Sequence, residues 1–277
     1  MTVVRDLLAE ALSGRYSLDR EIGRGSMAVV YLAHDARDQR PVAIKVMQSA
    51  LVNALGTDRF LREIEIASSL SHPLIVPLYH SGNTGDVLYY VMPYVEGESL
   101  HQRLKRERQL SLGEALKITH DAADALGYAH SRGVLHRDVK PENILLAGGR
   151  ALIADFGLAR AIGAANYEKL TATGIMIGTL FYMSPQQLGG DLSLDQRADI
   201  YSLGCILYEM LTGEVPYSGL SFSQVVNRIV RAPVPSARRL NAAVPPEVDQ
   251  AIIKALAKSA GDRFGSMQEF VTALASR

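Results

Sequence analysis

The chain of 277 residues has only one cysteine and no net charge, and both features narrow the classes of protein to which it can belong. A lone cysteine excludes a disulfide within the chain. Cys205 lies in the apolar run L-G-C-I-L-Y, which favours a buried structural thiol over a reactive one. Because 29 basic residues balance 29 acidic ones, no overall field attracts nucleic acid or an anionic membrane, and we expect contact with neither.

Long apolar runs are also missing. Crossing a bilayer takes roughly 18 to 20 consecutive apolar residues, and no stretch approaches that length. The N-terminal residues M-T-V-V-R-D-L-L-A-E-A-L carry acidic side chains inside their apolar pattern, so they lack the core of a signal peptide and predict a short amphipathic helix. We therefore expect an intracellular, cytoplasmic chain whose residues 1–15 form a helical extension.

The spacing of apolar residues predicts two regions of different architecture. Strand-like runs such as V-V-Y-L-A-H-D and P-V-A-I-K-V-M dominate from Tyr16 to about Tyr90, interrupted by one helix at about 58–70. Beyond them the spacing becomes helical, and Ser111 with Glu114 can form a capping box. Helices are expected at about 99–108, from 111 onward, and at about 199–211, 223–230, 246–257 and 266–275. The pattern predicts an α+β chain with a small β-rich lobe over 16–94 and a larger helical lobe over 95–277.

The residues that indicate a catalytic function begin at Leu135 and read L-H-R-D-V-K-P-E-N. The triplet D-F-G follows at 155–157. Asp138 is placed to accept or orient a hydroxyl proton, and Lys140 can neutralise a phosphate as it moves. Asn143 and Asp155 offer hard oxygen ligands of the kind that Mg²⁺ prefers. This combination predicts phosphoryl transfer.

The segment resembles the eukaryotic-type protein kinases, whose loop H-R-D-x-x-x-x-N and metal-binding D-F-G match the sequence residue for residue. The resemblance extends over about residues 16–275. It implies the bilobal α+β kinase fold, with ATP and Mg²⁺, or Mn²⁺ in its place, bound between the lobes. Lys140 in the form H-R-D-x-K-P-E-N is typical of serine/threonine kinases rather than tyrosine kinases. The segments M-A-V-V and T-A-T-G-I-M-I-G-T resemble bacterial members of the family.

The resemblance assigns the phosphate-handling residues of the small lobe. A glycine-rich turn lets backbone N–H groups approach nucleotide phosphates, although taken alone it also fits a plain hairpin, and Ala28 stands where the family has a third glycine. Lys45 of V-A-I-K would hold the α and β phosphates. Glu63 would form an ion pair with this lysine, and Glu65 is the alternative. The turn residues assigned to the nucleotide are Ile22, Gly23, Arg24, Gly25 and Ser26.

The resemblance also implies an adenine pocket at the hinge, V-E-G-E-S at 95–99. The carbonyl of Pro93 and the amide of Val95 would bind adenine, and proline is tolerable at 93 because only its carbonyl is needed. Met92 resembles the gatekeeper residue beside the adenine pocket, though it also fits ordinary core packing. The apolar positions that enclose the adenine ring are matched by Val30, Ala43 and Leu145.

The residues after D-F-G resemble an activation segment. Thr171 and Thr173 are expected to be autophosphorylated, and Arg137, beside Asp138, would bind the phosphate. Ordinary exposed threonines and a structural arginine are the alternatives. Thr179 of G-T-L-F-Y-M-S-P would tie the catalytic loop to the substrate-binding loop.

Further residues are assigned supporting roles by the resemblance. His136 would pack near Phe156 rather than take part in catalysis, and Asp199 would anchor the backbone of the catalytic loop. The triplet S-P-Q departs from the family's A-P-E, so Gln186 faces its expected partner Arg263 without a charge.

The sequence therefore predicts a serine/threonine protein kinase of signal transduction, acting on protein substrates and on itself through a transient homodimer. A pseudokinase scaffold is the rival from another class, but Lys45, Asp138 and Asp155, whose loss marks such scaffolds, are all present. A small-molecule phosphotransferase would not need the long segment 155–185. Bacterial relatives often continue into a membrane span, so any anchor of the full-length protein is expected beyond Arg277.

Overall fold

A computed structural model of the chain describes residues 8–25, 28–47, 57–84, 87–156, 180–191 and 193–275, apart from the side chains of 57–60. Within these residues an antiparallel sheet comes first and a helical region follows. This order confirms the predicted α+β architecture with a β-rich small lobe and a helical large lobe.

The small lobe is built on a five-stranded sheet. Its strands are β1 (Tyr16–Arg24), β2 (Ala28–Asp35), β3 (Arg40–Met47), β4 (His80–Thr84) and β5 (Val87–Pro93), in the order β1-β2-β3-β5-β4. The branched and aromatic residues of these segments favour strands because they pack well on a pleated surface. Helix α1 (Thr57–Ser68) lies between β3 and β4 in the chain, close to the predicted 58–70.

The two faces of this sheet are covered by different parts of the chain. Because side chains alternate along a strand, Tyr89 and Tyr90 of β5 lie on opposite faces. Tyr89 packs in a cluster with Leu8 and Leu12, which belong to the helical residues 8–12. Tyr90 belongs to the cluster that continues into the large lobe. Residues 8–12 of the N-terminal extension are therefore helical and cover the outer face of the sheet, and residues 13–15 form a turn. A helical extension over the whole of 1–15 stays a prediction.

The strand register aligns a row of residues across the inner face. Gly23 of β1 pairs with Val30, Val30 pairs with Lys45, and Lys45 pairs with Tyr90. Residues directly opposite each other on antiparallel strands share a face. The row therefore brings the glycine turn, the lysine and a tyrosine together on the side that faces the large lobe.

Residues 94–97 link the lobes and lead into a three-stranded sheet. Its strands are β6 (Glu98–Ser99), β7 (Ile144–Ala147) and β8 (Arg150–Ile153), in that order. A Cβ at Gly97 would lie 2.1 Å from the carbonyl oxygen of Leu146. Glycine is required there because the link passes directly over β7.

The large lobe is mainly helical. Its helices are α2 (Leu100–Glu107), α3 (Leu112–Ser131), α4 (Pro185–Leu188), α5 (Arg197–Thr212), α6 (Phe222–Arg231), α7 (Pro246–Ala255) and α8 (Met267–Ala275). Helices α3 and α5 are buried along much of their length and form the core with α7 and α8. The predicted helices of this lobe agree with these bounds to within a few residues. Over the residues described, no helix is long and apolar enough to cross a membrane.

The beginning of α3 differs from the prediction. Ser111 Oγ accepts the N–H of Glu114 at 3.3 Å, as in a capping box. The Glu114 carboxylate, however, binds the Arg103 guanidinium at 2.7 Å, because α2 offers it a charged donor. A complete capping box occurs instead at the start of α2, between Ser99 and Gln102.

Candidate active site

The catalytic loop, residues 135–143, is held by one buried carboxylate near the start of α5. Asp199 accepts the backbone N–H groups of His136 at 2.9 Å and Arg137 at 2.8 Å, and a ring nitrogen of His130 lies 2.7 Å from it. Burial raises the pKa of Asp199, but the hydrogen bond from His130 and the donors of the loop outweigh it, so the pKa lies below its usual value. Arg137 has a φ of +65°, an uncommon conformation that its hydrogen bond to Asp199 stabilises. The expected anchoring role of Asp199 is confirmed.

His136 is a structural residue of this loop. Its Nδ1 accepts the N–H of Asp138 at 3.2 Å, which leaves the hydrogen on Nε2 to be donated to the carbonyl of Ala154 at 2.9 Å. Its ring lies 4.6 Å from the ring of Phe156, centroid to centroid. The expected packing is confirmed, and it joins the catalytic loop to the D-F-G segment.

Asp138 has two donors beside its carboxylate. Lys140 Nζ lies 2.8 Å from Oδ2. The Asn143 side-chain nitrogen donates to the Asp138 backbone carbonyl at 2.8 Å and to its carboxylate at 3.2 Å. Burial lowers the pKa of Lys140, but Asp138 beside it, aided by Glu142 and Asp155, raises the pKa above its usual value. Lys140 is therefore a charged group at the position predicted for it.

Asp155, the first residue of D-F-G, faces this group from the next turn. The N–H of Ala154 donates to the carbonyl of Asn143 at 2.9 Å, which sets the two turns side by side. Asp155 Oδ2 forms a salt bridge with Lys45 Nζ, and Oδ1 accepts the Tyr90 hydroxyl at 2.5 Å. Burial raises the pKa of Asp155, but the charge of Lys45 and the two hydrogen bonds outweigh it and keep the pKa below its usual value.

The ion pair that the structure shows for Lys45 is with Asp155 rather than with the expected Glu63. Glu63 lies on α1 and is buried, whereas Glu65 on the same helix is exposed. This difference favours Glu63 over Glu65 as the residue near the cleft. The Lys45–Glu63 pair stays a prediction.

The apolar residues assigned to adenine belong to one cluster. Ala43 and Met92 are buried and lie opposite each other on β3 and β5. The partly exposed side chains packed against the same cluster include Ile22, Val30, Val95 and Leu145. Partly exposed apolar side chains next to buried ones are what a pocket for a flat ring requires.

The glycine turn is closed by a backbone hydrogen bond. The N–H of Gly25 donates to the carbonyl of Ala28 at 2.9 Å. Arg24 forms an exposed salt bridge with Glu21, so its side chain points along the surface of β1. Ser26 lies outside the described residues, as do Thr171, Thr173 and Thr179 further along the chain. The roles predicted for these four residues stay predictions.

Gln186 and Arg263 meet as expected, at the end of the activation segment. Arg263 Nη2 donates to Gln186 Oε1 at 2.7 Å. The other end of the amide also has a partner, because Gln186 Nε2 donates to the carbonyl of Lys258 at 2.8 Å. The neutral amide therefore makes one contact that a carboxylate could not make, since a carboxylate has no donor.

Two residues of the site were missed by the sequence interpretation. In the sequence, Tyr90 is one of several apolar strand residues in L-Y-Y-V-M. The signal that could have identified it is its two-residue spacing from Met92, which places both side chains on the same face of the strand. Gln187 donates from its side chain to the carbonyl of Arg137 at 2.8 Å and so joins α4 to the catalytic loop. Its signal was the capping box that it forms with Ser184.

Asn143 and Asp155 fit a hard divalent cation. Asn143 turns its amide nitrogen to Asp138, which leaves the amide oxygen as a ligand, and Asp155 supplies an ionised carboxylate. Two oxygen donors on adjacent turns suit an ion such as Mg²⁺ that keeps several of its waters. No group of three or more His, Cys, Asp or Glu side chains suited to a metal occurs among the described residues.

This fold and this arrangement of residues define a protein kinase domain. The chain belongs to the protein kinase domain family, which matches residues 16–273. Members of this family use ATP and a divalent metal.

The most similar relatives include bacterial serine/threonine-protein kinases. The chain is 42% identical over 265 residues to PknB of Mycolicibacterium smegmatis, covering 93% of this chain and 42% of that protein. It is 39% identical over 265 residues to PrkC of Bacillus subtilis, covering 95% of this chain and 40% of that protein. The chain thus spans about two fifths of the length of these relatives.

A solved structure supports the fold directly. The chain superposes on the crystal structure of a cysteine-to-alanine mutant of the Mycobacterium tuberculosis PknI kinase domain, with a TM-score of 0.75 and 31% sequence identity. The match covers 94% of each chain. The bilobal kinase fold implied by the sequence motifs is therefore confirmed.

Proposed function

We propose that this domain is a serine/threonine protein kinase of signal transduction, transferring the γ-phosphoryl group of ATP to hydroxyl groups of proteins. The observation that carries the proposal is the Asp138 carboxylate, set 2.8 Å from Lys140 and 3.2 Å from Asn143, with Asp155 and Lys45 facing it. The relatives named as serine/threonine-protein kinases support the same conclusion.

In this proposal each side chain of the cleft has a separate task. The oxygen of a serine or threonine hydroxyl attacks the γ-phosphorus while the bond to the ADP oxygen breaks, and Asp138 accepts the hydroxyl proton. Lys140 offsets negative charge on the transferring group, and Lys45 holds the α and β phosphates. Catalysis then rests mainly on positioning and charge stabilisation.

Asn143 and Asp155 would hold the divalent cation, which when bound neutralises charge on the phosphates. We assign Mg²⁺ to this site, with Mn²⁺ able to replace it, because both ions take oxygen ligands. Thr179 would connect the catalytic loop to the protein substrate. The nucleotide itself would lie against Ile22, Gly23, Arg24, Gly25, Ser26, Val30, Ala43, Met92, Pro93, Val95 and Leu145.

Regulation through the activation segment belongs to the same proposal. A phosphate on Thr171 or Thr173 adds about −1.5 to −2 charges, which Arg137 can pair with. The domain would phosphorylate these threonines on a second copy of itself in a transient dimer. A Thr171→Ala, Thr173→Ala double variant is expected to lose most of its activation by preincubation with ATP, and an unchanged specific activity would contradict the proposal.

We place the domain in the cytoplasm, where ATP and Mg²⁺ are available to it. Its partners would be protein substrates and a second copy of the chain, without nucleic acid.

The test is transfer of phosphate from ATP to a generic basic protein and to the domain itself, with mass spectrometry to locate the products. Asp138→Asn should lower kcat by about 10² or more, the usual scale for a positioned base. Asp155→Asn should abolish metal-dependent nucleotide binding. The control is Asp124→Asn, which changes a carboxylate that is 66% exposed, and it should keep the wild-type rate. Wild-type transfer rates in the Asp138 or Asp155 variant would show that these roles are assigned wrongly.

The same assay separates the rival functions. A wild-type domain that binds ATP and metal but transfers nothing is a scaffold. A domain that phosphorylates small alcohols but no protein is a small-molecule phosphotransferase.

A further inference from the structure

Tyr90 is a buried tyrosine whose hydroxyl contacts the carboxylate of Asp155, the residue assigned to the metal. Its residue exposure is 0%, and its hydroxyl donates to Asp155 Oδ1 at 2.5 Å. Its neighbours on the same face of β5 are Leu88 and Met92, both apolar and buried. A buried hydroxyl among apolar side chains is costly without a partner, and Asp155 is the partner it has.

The contact crosses from one lobe to the other. Tyr90 lies opposite Lys45 in the strand register, so both side chains point from the small-lobe sheet toward the cleft. They meet the two oxygens of the same carboxylate, Lys45 at Oδ2 and Tyr90 at Oδ1. Lys45 Nζ also lies 5.9 Å from the centre of the Tyr90 ring. The D-F-G aspartate is thus held by a pair of donors on adjacent strands.

These two donors differ in what else they must do. When a nucleotide enters, the Lys45 ammonium is the group that the proposed function assigns to the phosphates, so its hold on Asp155 weakens. Tyr90 has no such second task, because its hydroxyl is enclosed by the protein. Each carboxylate oxygen has two lone pairs, so Tyr90 can occupy one on Oδ1 and leave the others to a cation.

The backbone of Asp155 is held by contacts that do not reach its carboxylate. Its φ is +68°, a left-handed value that few non-glycine residues adopt. The carbonyl of Ala154 accepts a hydrogen bond from the His136 ring N–H, and the N–H of Ala154 donates to the carbonyl of Asn143. These contacts position the backbone and leave the Asp155 carboxylate free to rotate. Outer hydrogen bonds that orient a ligand are the usual means of fixing such a carboxylate.

We propose that Tyr90 is a positioning residue of the metal site, holding the Asp155 carboxylate in its cation-binding orientation once Lys45 has turned to the nucleotide. The proposal rests on the proposed function for the identity of the ligand. It adds a residue of the small-lobe sheet to a site otherwise built from the large lobe.

The test measures metal binding without relying on turnover. Mn²⁺ is titrated into the wild-type domain and into Tyr90→Phe in the presence of ADP, and free Mn²⁺ is followed by electron paramagnetic resonance. Phenylalanine keeps the ring and removes only the hydroxyl. We expect the Kd for Mn²⁺ to rise about tenfold, the lower end of the range for loss of an outer-shell partner. In transfer assays the KM for metal should rise while kcat at saturating metal changes little.

The matched control is Tyr89→Phe. Tyr89 is the next residue of the same strand, is also buried, and packs on the outer face with the N-terminal helical residues. Its variant removes the same atom without touching the cleft and should bind Mn²⁺ as the wild type does. If Tyr90→Phe does not fold, Tyr90→Met, which also lacks a donor, carries the same expectation.

A rise in Kd of about threefold or more in the Tyr90 variant, absent from the Tyr89 variant, supports the proposal. A smaller rise, tighter binding or an equal rise in both variants overturns it, whatever happens to the thermal stability. If the wild type transfers phosphate and loses Mn²⁺ binding with Asp155→Asn while Tyr90→Phe binds normally, only this inference fails. A wild type that binds no Mn²⁺ with ADP overturns both this inference and the proposed function.

Discussion

Two buried polar groups brace the large lobe, and they handle charge in opposite ways. Asp199 is a carboxylate that receives donors from the catalytic loop and from α3, namely the N–H groups of His136 and Arg137 and the ring of His130. Burial alone would raise its pKa, yet these partners bring the pKa below the usual value. The surroundings therefore stabilise the charged form of Asp199.

Arg263 is the other buried group, and its acceptors are neutral. Its guanidinium donates to the amide oxygen of Gln186, while its Cζ lies 4.8 Å from the centre of the Tyr201 ring. Burial lowers the pKa of Arg263 to about 10. The remaining acceptors are the backbone carbonyls of Arg197 at 3.0 Å, Ala257 at 2.8 Å and Lys258 at 3.2 Å.

The comparison shows that a full set of hydrogen bonds does not by itself make a buried charge favourable. Both groups have partners at ordinary distances, but only Asp199 has surroundings that favour its ionised form. Carbonyl and amide oxygens satisfy the geometry of Arg263 without supplying the opposite charge that would offset its desolvation. We therefore expect substitutions at the two groups to differ in size and in their dependence on pH.

The largest expected effect comes from breaking the Asp199 anchor. Asp199→Asn removes the charge and turns an amide donor toward groups that are themselves donors. The free energy of unfolding should fall by about 3 kcal/mol, the scale for removing one partner of a buried charged network. Urea denaturation of the purified domain measures it.

The control for this variant is again Asp124→Asn on the exposed side of α3. That change should leave the unfolding midpoint nearly unaltered. A fall of similar size in both variants would mean that Asp199 contributes no more than a surface carboxylate.

An intermediate effect is expected from giving Arg263 a charged acceptor through Gln186→Glu. The contact with Arg263 becomes charge-assisted, but the donation from Gln186 to the carbonyl of Lys258 is lost. We therefore expect a net change in stability within about 1 kcal/mol, together with a stronger coupling to Arg263. The coupling is measured by adding Arg263→Ala in both backgrounds.

The double-mutant cycle isolates the pair from each residue's separate effects. The coupling between positions 186 and 263 should be larger with glutamate than with glutamine by about 1–2 kcal/mol. Equal coupling in the two backgrounds would show that the missing charge is of no consequence at this site.

The smallest expected effect concerns Lys258, the neighbour of Arg263. Its Nζ lies 2.8 Å from the Tyr217 hydroxyl and 2.6 Å from the carbonyl of Ile229, and burial lowers its pKa to about 8 from 10.5. Between these two values the unfolded chain binds more protons than the folded one, so stability should rise with pH. Compared with Lys258→Met, the wild type should gain less than about 1 kcal/mol in total from about pH 8 upward, because solvent screens the partly exposed ammonium.

Denaturation curves for both proteins from about pH 7.5 to 10.5, the range that brackets the two pKa values, provide the measurement. Their difference removes the titration of other groups. Parallel curves, or a wild type that loses stability relative to the variant, would contradict the assignment of a destabilised ammonium at this position.

Local patterns in the sequence were enough to predict most elements and the catalytic motifs. Helix α5 was expected at 199–211 and is found at Arg197–Thr212, because a long run of apolar residues at helical spacing is a property of the chain itself. The positions of Asp138 and Asn143 followed from the motif, since both lie on one short loop. The capping box at Ser111 was only half right, because the charged partner of Glu114 comes from the preceding helix.

What the tertiary structure alone decided is which distant groups share a partner. Tyr90 and Asp155 are 65 residues apart, and Lys45 and Asp155 are 110 apart, so no local period relates them. They meet because the register of the sheet aims both small-lobe side chains at a turn of the large lobe. The sequence by itself determined the elements and the reactive residues, since those depend on neighbours along the chain. The state of charge and the orientation of those residues were decided by packing, because burial and the opposing partner come from elsewhere in the fold.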